Sequence, residues 1–333
     1  MEGGIEIRVS PCSTDKLAAR KQQNRHIEAA SKAEKKWHEY ESADAYRKAH
    51  LAGSFNKHAR TLEIESSHGG HKIPLRCIKP TTRDPKGVQV EPSPISAGNK
   101  LLTSSTGGFV IGSNSMCDGL LTRLADELCV TVVSVEYRLA PEHPFPAAGE
   151  DCLDAALYAL SEQGQSSLGG KLRIIGGESA GSYLTVWTTL QLRDKGVHVR
   201  AEIPALVCSY GIYDLNYTPS VHQHTRSVVL SAADTINFID TAFPLGPEAR
   251  RDAKISPIFA ELKDLPPALF MVGTVGPLID DSIFMAAKWA LAGNPAALKI
   301  VDEAFHGFTL IPSESTEEGL SEIFKFVRTH VKP

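Results

Sequence analysis

The sequence predicts an α/β chain: a mostly parallel, eight-stranded sheet with helices on both faces and a helical cap above it. Three observations carry this. From residue 101 onward short apolar strands alternate with helical segments, the pattern of parallel strands joined by crossover helices. One strand runs directly into a G-x-S-x-G turn and then a helix. A stretch at about 214–254 interrupts the alternation, and an insertion after a strand's C-terminal end sits over the ligand crevice of such a sheet.

In chain order, residues 13–50 are rich in Lys, Glu, Ala and Gln and read as helix. Trp37, Tyr40 and Tyr46 are its sparse anchors, as expected of an arm that lies on something else. Residues 1–55 are therefore set apart as an N-terminal helical cap segment, and 56–333 as the core. A hairpin opens the core: 61–65 alternates, His68-Gly69-Gly70-His71 turns, and 73–78 alternates back. Strands are then predicted at 101–104, 130–135, 172–175, 205–210, 268–272 and 299–301. Helices are predicted at 118–128, 149–160, 180–193, 282–291 and 317–327. In the first of these, Leu120, Leu121, Leu124 and Leu128 share one face.

Bulk properties narrow the partners. The chain is 42% hydrophobic and 22% charged over 333 residues, an ordinary globular composition. A net charge of −4 argues against nucleic acid or an anionic membrane as the main partner. No run of 18 apolar residues predicts a membrane span, and residues 1–10 lack the pattern of a secretory signal. Six scattered cysteines without a C-x-x-C pair read as reduced thiols of a cytoplasmic protein. The expected partner is a small hydrophobic molecule, with no metal and no cofactor. A homodimer stays open.

The most informative stretch is Gly177-Glu178-Ser179-Ala180-Gly181, placed after a β-branched strand and before a helix. Small residues at Gly177 and Gly181 let strand and helix approach. The turn aims the Ser179 hydroxyl away from the sheet, and the Ala180 N–H at the helix start suits an oxyanion. Phe305-His306-Gly307-Phe308 follows the last predicted strand, which places His306 to act as base for Ser179.

With these residues in hand, the chain resembles the hormone-sensitive lipase branch of the α/β-hydrolases. Four blocks carry the likeness: Gly107-Gly108-Phe109-Val110-Ile111-Gly112-Ser113, the block from Glu136 to Ala148 reading E-Y-R-L-A-P-E-H-P-F-P-A-A, the elbow, and His306-Gly307-Phe308. They cover the chain from about residue 61 to its end; the N-terminal 55 residues match only as a generic cap. The resemblance implies carboxylic-ester hydrolysis, with the N–H groups of Gly107 and Gly108 joining Ala180 in an oxyanion hole. It makes the Glu136 block structural, with Arg138 and Glu142 as buried ion-pair formers.

Two departures stand against it. The family's H-G-G-G loop reads Ser105-Thr106-Gly107-Gly108, which alters the brace of the loop. The family's triad aspartate, in a D-P-L stretch, is Gly276 in Gly276-Pro277-Leu278. Disabling that acid in serine hydrolases costs roughly 10⁴-fold in kcat but leaves activity. Asp280, Asp281, Asp302 and Glu303 are the nearby carboxylates that would replace it; Asp280 and Asp281 also suit the start of a helix.

Other motifs read as ordinary structure. His68-Gly69-Gly70-His71 is a turn, His222 and His224 lie in a polar lid segment without a third metal ligand, and the Lys/Glu run at 31–36 is a solvated helix face. The leading functional reading is a serine hydrolase of small ester or lactone substrates. Behind it stands a non-hydrolytic cyclase, lyase or isomerase of specialised metabolism reusing the pocket, and then a ligand receptor.

Overall fold

The computed structural model describes residues 4–9, 12–50, 56–81, 99–104 and 107–331. Ser105 and Thr106, half of the altered loop, lie outside the described residues. The chain opens with strand β1 (Ile5–Val9), then helices α1 (Thr14–Ala33) and α2 (Ala43–Ala49). The hairpin β2 (Arg60–Glu65) and β3 (Lys72–Ile78) leads to β4 (Asn99–Ser104), α3 (Asp118–Leu128) and β5 (Thr131–Val135). Then come α4 (Ala147–Leu160), α5 (Glu162–Leu168), β6 (Lys171–Glu178), α6 (Ala180–Asp194), α7 (Val199–Glu202) and β7 (Ala205–Ser209). The segment between β7 and β8 carries α8 (Pro219–Gln223), α9 (Ala232–Ala242) and α10 (Pro247–Arg250). The chain closes with β8 (Ala268–Val275), α11 (Ile279–Leu291), β9 (Ala296–Phe305) and α12 (Glu314–His330).

The described strands form one nine-stranded sheet in the order β1-β9-β8-β7-β6-β4-β5-β3-β2. The expected count was eight. The extra strand is β1, which pairs parallel to β9 and lies in the segment expected to be wholly helical. Its outer edge is open, with Ile7 and Val9 mostly exposed, so it lacks the two-sided apolar signature of the buried strands. Among the described strands only the β2–β3 and β3–β5 pairings are antiparallel.

Strand side chains alternate between two cores, as the period of two requires. Leu102, Val133 and Phe270 join α4, α6 and α11 on one face; Leu101, Val132 and Leu269 join α3 and α12 on the other. Helix α6 is buried almost all round, pressed between α4 and the sheet. Its N-terminus opens at the carboxyl ends of the central strands.

The Glu136 block buries one ion-pair cluster. Asp151 is fully buried and accepts from Arg138 N (2.8 Å), Arg138 Nε (3.0 Å to Oδ2) and the His71 ring (2.9 Å). Arg138 thus has buried partners, as expected. Glu142 does not: it is exposed and meets Arg47 of α2 at 2.9 Å. Asp151→Ala strands the Arg138 guanidinium in a site built for a carboxylate. The expected loss is about 3 kcal/mol, read from the urea midpoint, while Glu142→Ala stays within about 0.5 kcal/mol.

Candidate active site

Ser179 occupies a strained position, φ 57° and ψ −116°, a conformation that ordinary side chains avoid. Three elements impose it. Strand β6 ends at Glu178, α6 starts at Ala180, and the Ser179 N–H donates to Ser209 O at the end of β7 (2.9 Å). A Cβ on Gly177 would lie 2.4 Å from the Gly181 carbonyl group, so only glycine allows this strand-to-helix approach. The resulting bend presents Ser179 Oγ above the sheet.

His306 follows the last residue of β9, and its Nε2 lies 2.9 Å from Ser179 Oγ. Both residues are 8% exposed. Tyr210, its hydroxyl held by Thr309 at 2.5 Å, packs edge-on against the imidazole with ring centroids 5.0 Å apart. Burial pushes the His306 pKa down to about 3, and the charge of His224 adds to the shift. The base is therefore neutral at any physiological pH. The distal nitrogen, Nδ1, is buried and has no hydrogen-bond partner among the described residues.

The four candidate replacement acids do not reach it. Asp281 is buried, and its carboxylate accepts from Tyr213 N (2.6 Å), Asp214 N (2.9 Å) and Thr218 Oγ1 (2.8 Å). Burial raises its pKa to about 7 in spite of those three donors. Asp280 accepts from Ser220 N at 2.8 Å. Asp302 accepts from Thr274 Oγ1 at 3.3 Å. Glu303 accepts from Asn24 at 3.2 Å and lies 3.8 Å from Arg226. Each carboxylate is engaged in holding a turn or an inter-element contact. Gly276 does lie against the base: a Cβ there would stand 3.5 Å from His306 Cβ and N, an ordinary contact.

Ser179, His306, Gly107, Gly108 and Ala180 line one cavity of about 490 Å³. Its walls are mainly apolar, with Trp37 from the N-terminal segment stacked on Phe238 of α9 (5.5 Å, 18°). Phe238 lies where any side chain on Gly108 would be, 2.4 Å from such a Cβ. Glu34, Lys35 and Lys36 also line the cavity, and Lys36 approaches Asp234 to 3.5 Å. Residues 32–35 of the Lys/Glu run are exposed, as expected of a solvated face, and the run also borders the cavity. Among the described residues no group of His, Cys, Asp and Glu suits a metal ion.

Three contacts escaped the sequence reading. Arg47 donates to Val110 O (2.7 Å) and Ala140 O (2.6 Å), bracing the turn after Gly107-Gly108 from outside the core. Glu178, next to the nucleophile, is buried, and its pKa rises to about 7 for that reason. His224 is half-buried, with Nε2 buried and unpartnered. Nothing in the elbow motif marks the burial of Glu178, and the partners of Arg47 are 63 and 93 positions away.

The fold and the site can be set beside known proteins. A family model described as the alpha/beta hydrolase fold matches residues 103–310. An ethyl acetate hydrolase of Pseudomonas putida is 27% identical over 80% of this chain and 81% of its own. An acetyl-hydrolase of Streptomyces hygroscopicus is 33% identical over 63% of this chain and 68% of its own. Among solved structures, a hormone-sensitive lipase from a metagenome library superposes with a TM-score of 0.75 at 24% identity, covering 94% of this chain and 98% of that one. From the match across 103–310 and the strand order that frames Ser179 and His306, the chain belongs to the α/β-hydrolase family.

Proposed function

We propose that this protein is a serine hydrolase of carboxylic esters or lactones with a small to medium apolar substrate, Ser179 its nucleophile and His306 its base. The observation that carries the reading is the 2.9 Å Oγ–Nε2 contact at the floor of an apolar cavity. Likeness to an ethyl acetate hydrolase and an acetyl-hydrolase supports ester hydrolysis as the reaction class. The N-terminal segment and the insertion at about 214–254 serve as the cap that closes the cavity.

In this mechanism His306 Nε2 takes the Ser179 proton as Oγ attacks the substrate carbonyl. The N–H groups of Gly107, Gly108 and Ala180 hold the oxyanion. Collapse expels the alkoxide, which leaves with the proton from His306, and the acyl group stays on Oγ. Water then repeats the cycle and releases the acid. The weak point is the imidazolium. Charging His306 in its buried site costs on the order of 5 kcal/mol more than charging a free imidazole.

The unpartnered Nδ1 favours one second reading, a lyase, cyclase or isomerase in which neutral His306 relays a proton and no acyl-enzyme forms. Fluorophosphonate labelling and turnover of short p-nitrophenyl esters decide between them. Labelling at Ser179 with turnover abolished in Ser179→Ala supports hydrolysis; absence of labelling with ester turnover unchanged in Ser179→Ala refutes it.

The low pKa of His306 gives a pH signature. A base with an ordinary imidazole pKa loses about thirtyfold in kcat/KM between pH 8 and pH 5 by protonation. Here the expected fall is under about threefold, because the base stays unprotonated until near pH 3. Gly276→Asp fits sterically and sets a carboxylate beside His306. An anion favours the imidazolium, so the acid limb of the profile should move up toward pH 6. Ester kcat should rise at least about tenfold, against the roughly 10⁴-fold that a triad acid supplies at most.

A further inference from the structure

At one end of the sheet β1 pairs with β9 along its inner edge, and among the described residues no strand pairs with its outer edge. A free edge is a row of N–H and C=O groups ready to take another strand, and proteins commonly guard it with a proline, a bulge or charges. Strand β1 has neither proline nor bulge. Its five residues, I-E-I-R-V, keep an unbroken register with residues 296–300 of β9. Two of its apolar side chains stay open to water, Ile7 at 58% and Val9 at 60% exposure. Only Glu6 and Arg8 could act as guards.

Register fixes where those side chains point. Ile5, Ile7 and Val9 are level with Ala296, Leu298 and Ile300, on the face of the sheet that α11 covers. Glu6 and Arg8 lie on the other face, where Arg8 meets Glu6 (2.7 Å) and Glu322 of α12. A second copy of the strand, laid antiparallel about a two-fold axis through Ile7, sets Ile7 against Ile7 and Ile5 against Val9. Each Glu6 then faces the Arg8 of the other copy. Apolar residues meet apolar ones and each anion meets a cation, so the charges favour this pairing instead of blocking it. Moving the axis to Glu6 or Arg8 puts like charges directly opposite. Residues opposite one another in an antiparallel pair exchange either two hydrogen bonds or none, and an axis through Ile7 suits both phases. A strand that is its own complement is what a two-fold interface requires, because one patch must serve both subunits.

We propose that two copies of this chain associate through β1, joining their sheets into one continuous sheet across a two-fold axis at Ile7. The inference is independent of the reaction catalysed: β1 is separated from β6, which carries the elbow, by three strands. Five residues a side fall short of the roughly 800 Å² per partner of a standard interface. The association is therefore of the weak, concentration-dependent kind. Leu291, 89% exposed, stands with Phe284 on the side of α11 turned away from its buried residues, and serves as the control.

Sedimentation velocity on the full chain from about 1 to 100 µM protein tests this. Wild type should pass from monomer to dimer across that range. Ile7→Lys places two ammonium groups face to face on the axis, at a site already open to water in the monomer. It should raise the dissociation constant at least about tenfold with Tm unchanged, while Leu291→Lys should leave that constant as it is. Register is read separately in a Cys12→Ser background. A short bismaleimide should join two copies of Ile7→Cys but not of Val9→Cys, whose thiols stand about 13 Å apart along the strands on this axis. The proposal is overturned if wild type stays monomeric at about 100 µM, if the dimer withstands Ile7→Lys, if Leu291→Lys dissociates it, or if Val9→Cys cross-links as readily as Ile7→Cys.

Discussion

The hydrogen bond between Ser179 and His306 joins residues 127 positions apart, and the register of four strands makes it possible. Glu178 is level with Ser209, Ser209 with Met271, and Met271 with Lys299. At that level β9 still has six residues to run, so an undistorted strand would carry His306 well past the nucleophile. The ladder instead slips between Gly273 and Val275: Gly273 pairs with Val301, but Val275 pairs with Phe305. The surplus residues form a bulge with Glu303 at φ +51°, its N–H donating to Thr274 Oγ1 at 2.8 Å. A Cβ on Gly273 would come within 2.1 Å of Ala304 O, so a glycine is required opposite the bulge. Asp302 and Glu303 therefore serve the base without touching it, by shaping the strand that delivers it.

The same logic accounts for the carboxylates after Gly276. Asp281 is three-quarters of the way to being a catalytic acid: buried, well hydrogen-bonded and on the right turn. Its three donors, however, come from the chain after β7. It ties that chain to α11 and cannot turn toward His306 without stranding two backbone N–H groups in the interior. A buried carboxylate that organises the fold is thereby unavailable to the chemistry. With glycine at 276 no side chain faces the imidazole from that position, and burial drives the ring toward the neutral form.

Legibility in the sequence divides along the range of the interactions. The strand–helix alternation, the elbow and His306 are encoded locally, in periodicity and in a five-residue motif, and the structure places them together. Strand β1 was hidden because it is an edge strand with one open side and a mixed I-E-I-R-V pattern. Glu142 looked like a buried ion-pair former because it stands in the same block as Arg138; it is exposed and pairs with Arg47, while Arg138 pairs with Asp151 on the following helix. The Lys/Glu face of α1 and its continuation are solvated as read, but that they also border a pocket was not legible, since nothing in the sequence says which side of a polar helix lies next to one. His224 was read as a solvated loop residue for the same reason, and its burial comes from clamps that span about 200 positions.

Those clamps bear on what the N-terminal segment does. Ser105 and Gly276 are the two places where the sequence departs from the motifs it resembles. Contacts from the N-terminal segment reach the chain beyond the glycine loop and the chain beyond α8. Arg47 of α2 fixes the carbonyl of Val110 behind the glycine loop, and Glu28 and Ser31 of α1 hold the stretch that carries His224. Trp37 completes the wall by stacking on Phe238, directly over Gly108. Hydrogen bonds of this kind have steep angular dependence, so a segment docked an ångström out of place would lose its hold on both the turn after Gly107-Gly108 and the stretch after α8. Docking of the N-terminal segment and ordering of those two stretches are then one event rather than two.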